Sequence, residues 1–177
     1  MKLLLKNGIE AEFRKLEKKD AKAVLDYLIV VGNETTNLLI DEAGLGISIE
    51  EEEQIIDRYY QHPISMMLGC FINDQLVGVS NLSAKDRNKI KHVASLGVSV
   101  LKKYWGIGIG KQLMVELIDH AKETKIIKVI HLDVRADNEK AIHLYKKLGF
   151  EQMGYFKKAF IIHGKYYDEI MMNLYLE

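Results

Sequence analysis

Cysteine and long hydrophobic runs are nearly absent from this 177-residue sequence. The one cysteine, Cys70, excludes an intramolecular disulfide and any zinc site built from several cysteines. No segment approaches the roughly 20 consecutive apolar residues of a membrane-spanning helix. The first residues hold only three leucines before Asn7 and Glu10, too few for the apolar core of a secretion signal. We therefore expect a cytoplasmic protein that has no membrane partner and binds no metal.

Net charge is also absent, because 25 basic residues balance 25 acidic ones. A protein that binds nucleic acid needs a basic face, so this balance gives no support to a nucleic-acid partner. The hydrophobic content of 48% is that of an ordinary globular protein. No linker, repeat or low-complexity tract interrupts the chain, so we predict a single domain over residues 1–177.

Hydrophobic periodicity predicts strands and helices in alternation. The predicted strands are residues 9–14, 64–72, 76–82, 92–100, 128–134, 152–162 and 165–175. The predicted helices run from Asp20 to a break at residues 32–36, from the Ser48–Glu51 capping box to Tyr60, from Ile109, and around Tyr145. The Glu50–Glu53 run suits the first turn of a helix better than a metal or polyamine site.

Three alternate glycines, Gly106, Gly108 and Gly110, stand between a strand pattern and a helical pattern. Glycine permits tight turns and close approach to a ligand, and a helix that starts there directs free N–H groups towards a phosphate. The nucleoside triphosphate loop does not fit, since Trp105 stands where it needs glycine. The dinucleotide fingerprint fails too, because Lys111 stands at its third glycine. A phosphorylated cofactor and a turn without ligand both remain open from these residues alone.

A second segment follows a strand pattern and ends in a Gly-Phe pair; its marked residues are Asn138, Ala141, Tyr145, Gly149 and Phe150. With the glycine turn, it resembles two motifs, in the right order, of the GCN5-related N-acetyltransferases. Gly108 and Gly110 match the cofactor signature of that family, but Trp105 replaces its usual Arg or Gln. The Trp-Gly-x-Gly-x-Gly variant resembles the branch of ribosomal-protein and polyamine acetyltransferases. The resemblance runs from about Ile9 to the C-terminus.

The resemblance implies an α/β (α+β) fold, with a mixed, mostly antiparallel central sheet of about seven strands and about four flanking helices. In such a fold two central strands splay apart, and Gly97 is a reasonable bulge or splay point. It also implies acetyl-CoA as acetyl donor, used by an N-acetyltransferase that acts directly on a primary amine. The residues expected to bind this cofactor are Val98, Val100, Trp105, Gly106, Gly108, Ile109, Gly110, Lys111, Asn138 and Tyr145.

Tyr145 is the expected general acid, which protonates the departing thiolate. Its reference pKa of about 10 keeps a tyrosine protonated at neutral pH, as a proton donor must be. Its helical spacing from Ala141 and Leu148 also suits a place on an apolar helix face. Asn138 is expected to cap the helix in either case and, by the resemblance, to contact the cofactor arm.

The sequence offers several candidates for the general base, which must take a proton from the substrate ammonium. The best carboxylate is Glu34, expected in the loop between the first two helices, which lines the amine side in this fold. His92, His131 and ordered water with backbone carbonyls stay open as alternatives. Asp168, in a Tyr-Tyr-Asp-Glu run on the last strand, is a second candidate for contact with the acceptor amine.

The acceptor expected first is a small amine or amino acid, and next a protein N-terminus or polyamine. A non-catalytic domain that binds acyl-CoA as a sensor or partner is the alternative function. The intact Asn138 and Tyr145 favour the enzyme over the sensor. The resemblance also implies a homodimer, since the terminal hairpin offers an edge for pairing.

Overall fold

The computed structural model describes residues 1–40 and 43–177. In this part, the strands are β1 (Lys2–Leu4), β2 (Glu10–Lys15), β3 (Met66–Ile72), β4 (Gln75–Ala84), β5 (Val93–Val100), β6 (Val129–Arg135), β7 (Glu151–Ile162) and β8 (Lys165–Tyr175). The α-helices are α1 (Ala21–Glu34), α2 (Ile49–Gln61), α3 (Ile109–Glu123) and α4 (Glu139–Lys147). None of these helices is long and apolar enough to cross a membrane.

All these strands join one sheet in the order β1-β2-β3-β4-β5-β6-β8-β7. Within the described ranges, β5 and β6 form the parallel pair and the other neighbours are antiparallel. This confirms the predicted mixed, mostly antiparallel sheet with four helices. The sheet has eight strands in the described residues, one more than the seven predicted, because the sequence pattern did not reveal β1. A three-residue strand at a sheet edge is too short to show an alternation that identifies it.

Helix α1 continues into the segment 32–36, where the sequence predicted a break. It includes Gly32 and ends at Glu34, and Thr35 then turns to an extended conformation with φ −152°. A glycine inside a helix costs about 1 kcal/mol relative to alanine. The buried face of the helix, which ends with Val31, outweighs this cost. The placement of Glu34 in a loop was therefore wrong.

The local turn and cap signals are confirmed. Ser48 accepts a hydrogen bond from the Glu51 amide at 3.2 Å, and Glu51 accepts one from the Ser48 amide at 2.8 Å. The hairpin between β7 and β8 turns at His163 and Gly164, both with positive φ. Such pairs of positive φ angles match the right-handed twist of the flanking strands.

The helices occupy both faces of the sheet. Tyr27 of α1 donates to Ser99, and Asn81 donates to Tyr59 of α2, so α1 and α2 share one face. On the opposite face, a Cβ added to Gly78 would lie 3.1 Å from both Ile109 and Leu113 of α3. Helix α4 lies on the α3 side, since Leu144 approaches the same helix at Gly110.

Glu52 is a buried acid within this packing. It is 2% exposed, and its Oε2 atom has no hydrogen-bond partner among the described residues. Removal from water raises the pKa of Glu52 to about 7. Because the folded pKa lies above the unfolded one, the protein binds this proton more tightly when folded. Its contribution to stability is therefore present below the usual glutamate pKa and is lost as the pH rises towards 7.

We expect Glu52→Gln to stabilise the fold at pH 8 and to change it little at pH 4.5, since glutamine carries no charge to bury. Each kcal/mol gained raises the melting temperature by roughly 2–4 °C in a domain of this size. Thermal unfolding followed by circular dichroism at the two pH values measures this. The exposed Glu50→Gln serves as control and should show no gain at pH 8. An equal effect of Glu52→Gln at both pH values would contradict the assignment.

Candidate active site

A gap opens where β5 and β6 separate. The two strands pair only over Val93–Ser95 and Val129–His131, although β5 continues to Val100 and β6 to Arg135. Each strand keeps its outer neighbour beyond that point, because β4 pairs with β5 as far as Val100 and β8 pairs with β6 as far as Arg135. The gap is therefore a wedge held open from both sides.

The inner edge of β5 presents main-chain polar groups to this gap. The Leu101 amide donates to the Val77 carbonyl at 2.9 Å, and the next register pair is Val100 with Gly78. Hydrogen-bonded pairs alternate along an antiparallel ladder. The N–H and C=O groups of Val98 and Val100 consequently face away from β4, towards the gap, as a site built on their main chain requires.

Gly97 has a different function from the one expected of a bulge. The register between β4 and β5 is continuous through the Asn81–Gly97 pair, so β5 has no bulge there. A Cβ at Gly97 would lie 2.7 Å from Asn81 Oδ1. Gly97 therefore makes room for the Asn81 side chain, and the strands already diverge after Ser95.

The glycine turn leads directly into α3. Gly106 and Gly108 have φ values of 81° and 103°, and a Cβ at either would meet no heavy atom within 4 Å. Gly108 is the N-cap of α3 but offers no side chain to cap it. No side chain caps the first N–H groups of α3, so they can donate to an external acceptor. Open space lies in front of the turn. Such a turn fits a phosphate.

Trp105 connects this turn to the gap. Its indole Nε1 donates to the Val100 carbonyl at 2.7 Å, and the Lys140 ammonium of α4 lies 5.9 Å from the ring centroid. The indole thus takes the carbonyl at the end of β5 and leaves a ring 40% exposed. This bond holds the turn against the strand at the position where the sequence departs from the usual Arg or Gln.

Helix α4 begins with the expected cap. The Asn138 side chain accepts from the Ala141 amide at 3.4 Å. Tyr145 on the same helix is buried, with its ring 6.0 Å from that of Phe150. Burial raises the pKa of Tyr145 to about 12, so the hydroxyl keeps its proton throughout the physiological range. No partner for this hydroxyl occurs among the described residues.

Glu34 joins the end of α1 to the turn after β5. Its Oε2 atom accepts from the Lys102 amide at 2.6 Å. Lys102 begins the short 3₁₀ turn, Lys102–Tyr104, that precedes the glycines. Glu34 therefore holds the turn that precedes the glycines, a contact that the sequence pattern did not indicate.

Asp168 is engaged within the terminal hairpin. One carboxylate oxygen accepts from the Tyr155 hydroxyl at 2.6 Å and the other from the Lys158 amide at 2.8 Å. The Tyr155 hydrogen bond, with the Lys158 amide, lowers the pKa of Asp168. These bonds brace the register shift between Phe156 and Phe160 in β7. Among the described residues, the hydrogen-bond partners of the Asp168 and Glu34 carboxylates do not include each other.

A cleft of about 1070 Å³ lies between the end of α1 and β7. Its described lining comprises residues 32–40 and 159–163 with Ala43 and Arg135. Glu34 bounds it beside the turn after β5, and Arg135 bounds it at the end of β6. Two lining residues of the cleft thus reach the ends of the diverging strands, Glu34 through its bond to Lys102 and Arg135 as the last residue of β6. Sequence analysis missed Arg135, although it stands three residues before Asn138.

This combination defines a class of protein: a split sheet with a backbone-lined gap, a glycine turn at a helix N-terminus, and an adjoining cleft suit an extended, phosphorylated acyl donor. The chain belongs to the Acetyltransferase (GNAT) family, whose model matches residues 33–150. An L-amino acid N-acetyltransferase, AaaT of Escherichia coli K12, is 32% identical over 68% of this chain and 72% of its own length. The [Ribosomal protein uS5]-alanine N-acetyltransferase of that organism is 27% identical over 68% of this chain and 62% of its own length.

Solved structures agree with this assignment. An acetyltransferase of the GNAT family from Streptococcus pneumoniae is 30% identical and superposes with a TM-score of 0.91, covering 94% of this chain and 99% of that one. A putative acetyltransferase from Salmonella typhimurium, solved with its cofactor acetyl-CoA, shares the fold with a TM-score of 0.82 at 18% identity and 94% coverage of each chain. The protein is an N-acetyltransferase that uses acetyl-CoA. The gap and glycine turn fit this donor, and the described residues contain no group of three His, Cys, Asp or Glu placed for a metal.

We expect Gly108→Ala to raise the KM for acetyl-CoA about tenfold or more, because a methyl group intrudes where the phosphate must approach the backbone. Any L residue at a left-handed φ also costs roughly 1–2 kcal/mol of stability. Gly8 is a matched control, since it has φ 79° and equally open surroundings far from the site in sequence. Gly8→Ala should lower the melting temperature similarly without changing the KM. Equal KM changes in both variants would contradict phosphate binding at Gly108.

Proposed function

We propose that the enzyme transfers acetyl from acetyl-CoA directly to a primary amine. The preferred acceptor is a small amine or amino acid, and a protein N-terminus or polyamine comes second. The observation that supports this proposal is that the cleft is bounded by Glu34, which holds the turn after β5, and by Arg135, the last residue of β6. Acetyl-CoA, when bound, supplies the thioester; a C–N bond then forms as the C–S bond breaks. The similarity to an L-amino acid N-acetyltransferase supports the same acceptor class.

The donor side uses the residues already placed around the gap. The main-chain N–H groups of Val98 and Val100 are assigned to the pantetheine arm and the acetyl carbonyl, which they polarise as an oxyanion hole does. The pyrophosphate is assigned to the turn and first turn of α3, which comprise Gly106, Gly108, Ile109, Gly110 and Lys111. Trp105 orders that turn, and Asn138 contacts the cofactor arm.

Tyr145 is assigned as the general acid that gives its proton to the departing sulfur. A tyrosine with a pKa of about 12 is fully protonated before transfer, as this assignment needs. The hydroxyl is not committed to another described residue, which supports its availability.

Glu34 and Asp168 have more specific positions than the sequence predicted. Because one Glu34 oxygen holds the Lys102 amide, we assign Glu34 to positioning the turn and lining the acceptor cleft. Its prediction as general base stands untested beside deprotonation through ordered water. Asp168 is used within the hairpin, and its prediction as an acceptor contact draws no support from these bonds.

The remaining assignments concern the whole molecule. We propose that the sheet and helices form a single domain, that the enzyme works in the cytoplasm, and that it forms a homodimer through β7. This long strand lies at the sheet edge and exposes Tyr155 and Phe156. An unpaired edge is a ready site for strand pairing. Sedimentation equilibrium distinguishes a dimer from a monomer.

The Tyr145→Phe variant separates the enzyme from the alternative, an acyl-CoA-binding sensor. Loss of a general acid lowers turnover by about 10²–10⁴-fold. Acetyl-CoA affinity, measured by calorimetry, should be unchanged because the ring remains. The high pKa also predicts that Tyr145 does not ionise below about pH 10, so any earlier basic limb of the wild-type pH profile belongs to another group. Unchanged turnover in the variant would remove Tyr145 from the mechanism.

Thiol release from acetyl-CoA tests the proposed acceptor class directly. The panel consists of amino acids, small monoamines, polyamines, aminoglycosides and N-terminal peptides. We expect the highest kcat/KM among the amino acids and small amines. A preference for polyamines or peptides would contradict the acceptor order, and silence across the panel with tight acetyl-CoA binding would favour the sensor.

A further inference from the structure

Arg135 is a nearly buried cation at the end of β6, with a side chain 14% exposed. Its Nη1 donates to the carbonyl of Thr36 at 2.9 Å and to the Thr36 hydroxyl at 2.8 Å. Its Nε donates to Asp137, and the guanidinium carbon lies 4.6 Å from the centroid of the Tyr167 ring. These contacts fix the plane of the guanidinium at the wall of the cleft.

Some N–H groups of this guanidinium have no hydrogen-bond partner among the described residues. A guanidinium has five N–H groups. Thr36 receives the two from Nη1 and Asp137 the one from Nε, whereas the two from Nη2 have no partner among the described residues. A guanidinium binds a carboxylate with particular strength, frequently through two parallel hydrogen bonds. Arg135 thus retains donor capacity for an anionic ligand.

The charges around the cleft match a small zwitterion. Among its described lining residues, Glu34 is the acid and Arg135 the guanidinium, and His163 adds an imidazole. Neutral polar atoms come from Asn33, Thr35, Thr36 and Asn37, and the remaining side chains of the described lining are apolar. In an α-amino acid the carboxylate and the amine share one carbon, so holding the carboxylate also fixes where the amine lies.

We propose that Arg135 binds the carboxylate of the acceptor, so that the acceptors of this enzyme are α-amino acids. This inference rests on the proposed function and narrows its substrate class. Contacts with Tyr167 and Thr36 hold the guanidinium in one orientation, so Arg135 acts as a specificity-determining residue. A peptide N-terminus or polyamine lacks a carboxylate at that place and leaves the Nη2 donors unpaired.

Three acceptors with one side chain test the proposal in the wild-type enzyme: the best amino acid of the panel, its amide, and its decarboxylated amine. We expect the free acid to exceed both others in kcat/KM by about 10- to 100-fold, the range of one hydrogen bond to a charged group. Equal use of the amide or the amine would overturn the proposal without touching the acetyltransferase activity. Absence of thiol release from every acceptor in the wider panel would overturn the proposed function and this inference together.

The Arg135→Gln variant then tests the residue itself. We expect a 10- to 100-fold loss of kcat/KM for the amino acid, expressed mainly in its KM, and little change for the decarboxylated amine. The matched control is Arg87→Gln, at an exposed arginine in the connection between β4 and β5, which should leave all three acceptors unchanged. An equal loss for all three acceptors in Arg135→Gln would show that Arg135 only anchors Thr36. Unchanged acetyl-CoA affinity by calorimetry confirms that the variant is folded, and if it does not fold, the wild-type comparison still decides.

Discussion

Strands β5 and β6 diverge in the middle of the sheet, and the whole candidate site is built around this divergence. Backbone N–H and C=O groups must find partners, and an unpaired strand edge inside a sheet is costly. Here β4 and β8 hold the two strands from outside, so they part after Ser95 and His131 while both stay ordered. The Val98 main chain and the Val100 N–H face this gap, whereas the Val100 carbonyl accepts from the Trp105 indole. The glycine turn and helix α3 begin directly beyond β5.

The two sides of this gap are tied to the same segment of chain. Glu34 holds the turn that follows β5, while Arg135 at the end of β6 holds Thr36, two residues after Glu34. The connection that follows α1 is therefore fixed from both diverging strands. Because residues 32–40 also line the cleft, the pair Glu34 and Arg135 positions both one wall of the cleft that we propose for the acceptor and the turn after β5.

Features that depend on neighbours in sequence were predicted well. The capping box of Ser48 and Glu51, the cap at Asn138 and the turn at Gly164 all form as expected, since each uses contacts within a few residues. Predictions failed where packing outweighs local propensity. Gly32 stays inside α1 because the helix buries its apolar face, and β1 is too short to carry a pattern.

The helix and strand pattern, the glycine turn and the family could be predicted from the sequence, because periodicity, caps and motifs are local. The contacts of the charged residues depend on the fold. Glu34 meets an amide 68 residues away, and Arg135 meets Thr36 across 99 residues. Such contacts depend on strand order and on where the sheet splits, and no spacing in the sequence encodes them. The cleft, and the place of Arg135 in its wall, follow from that geometry alone.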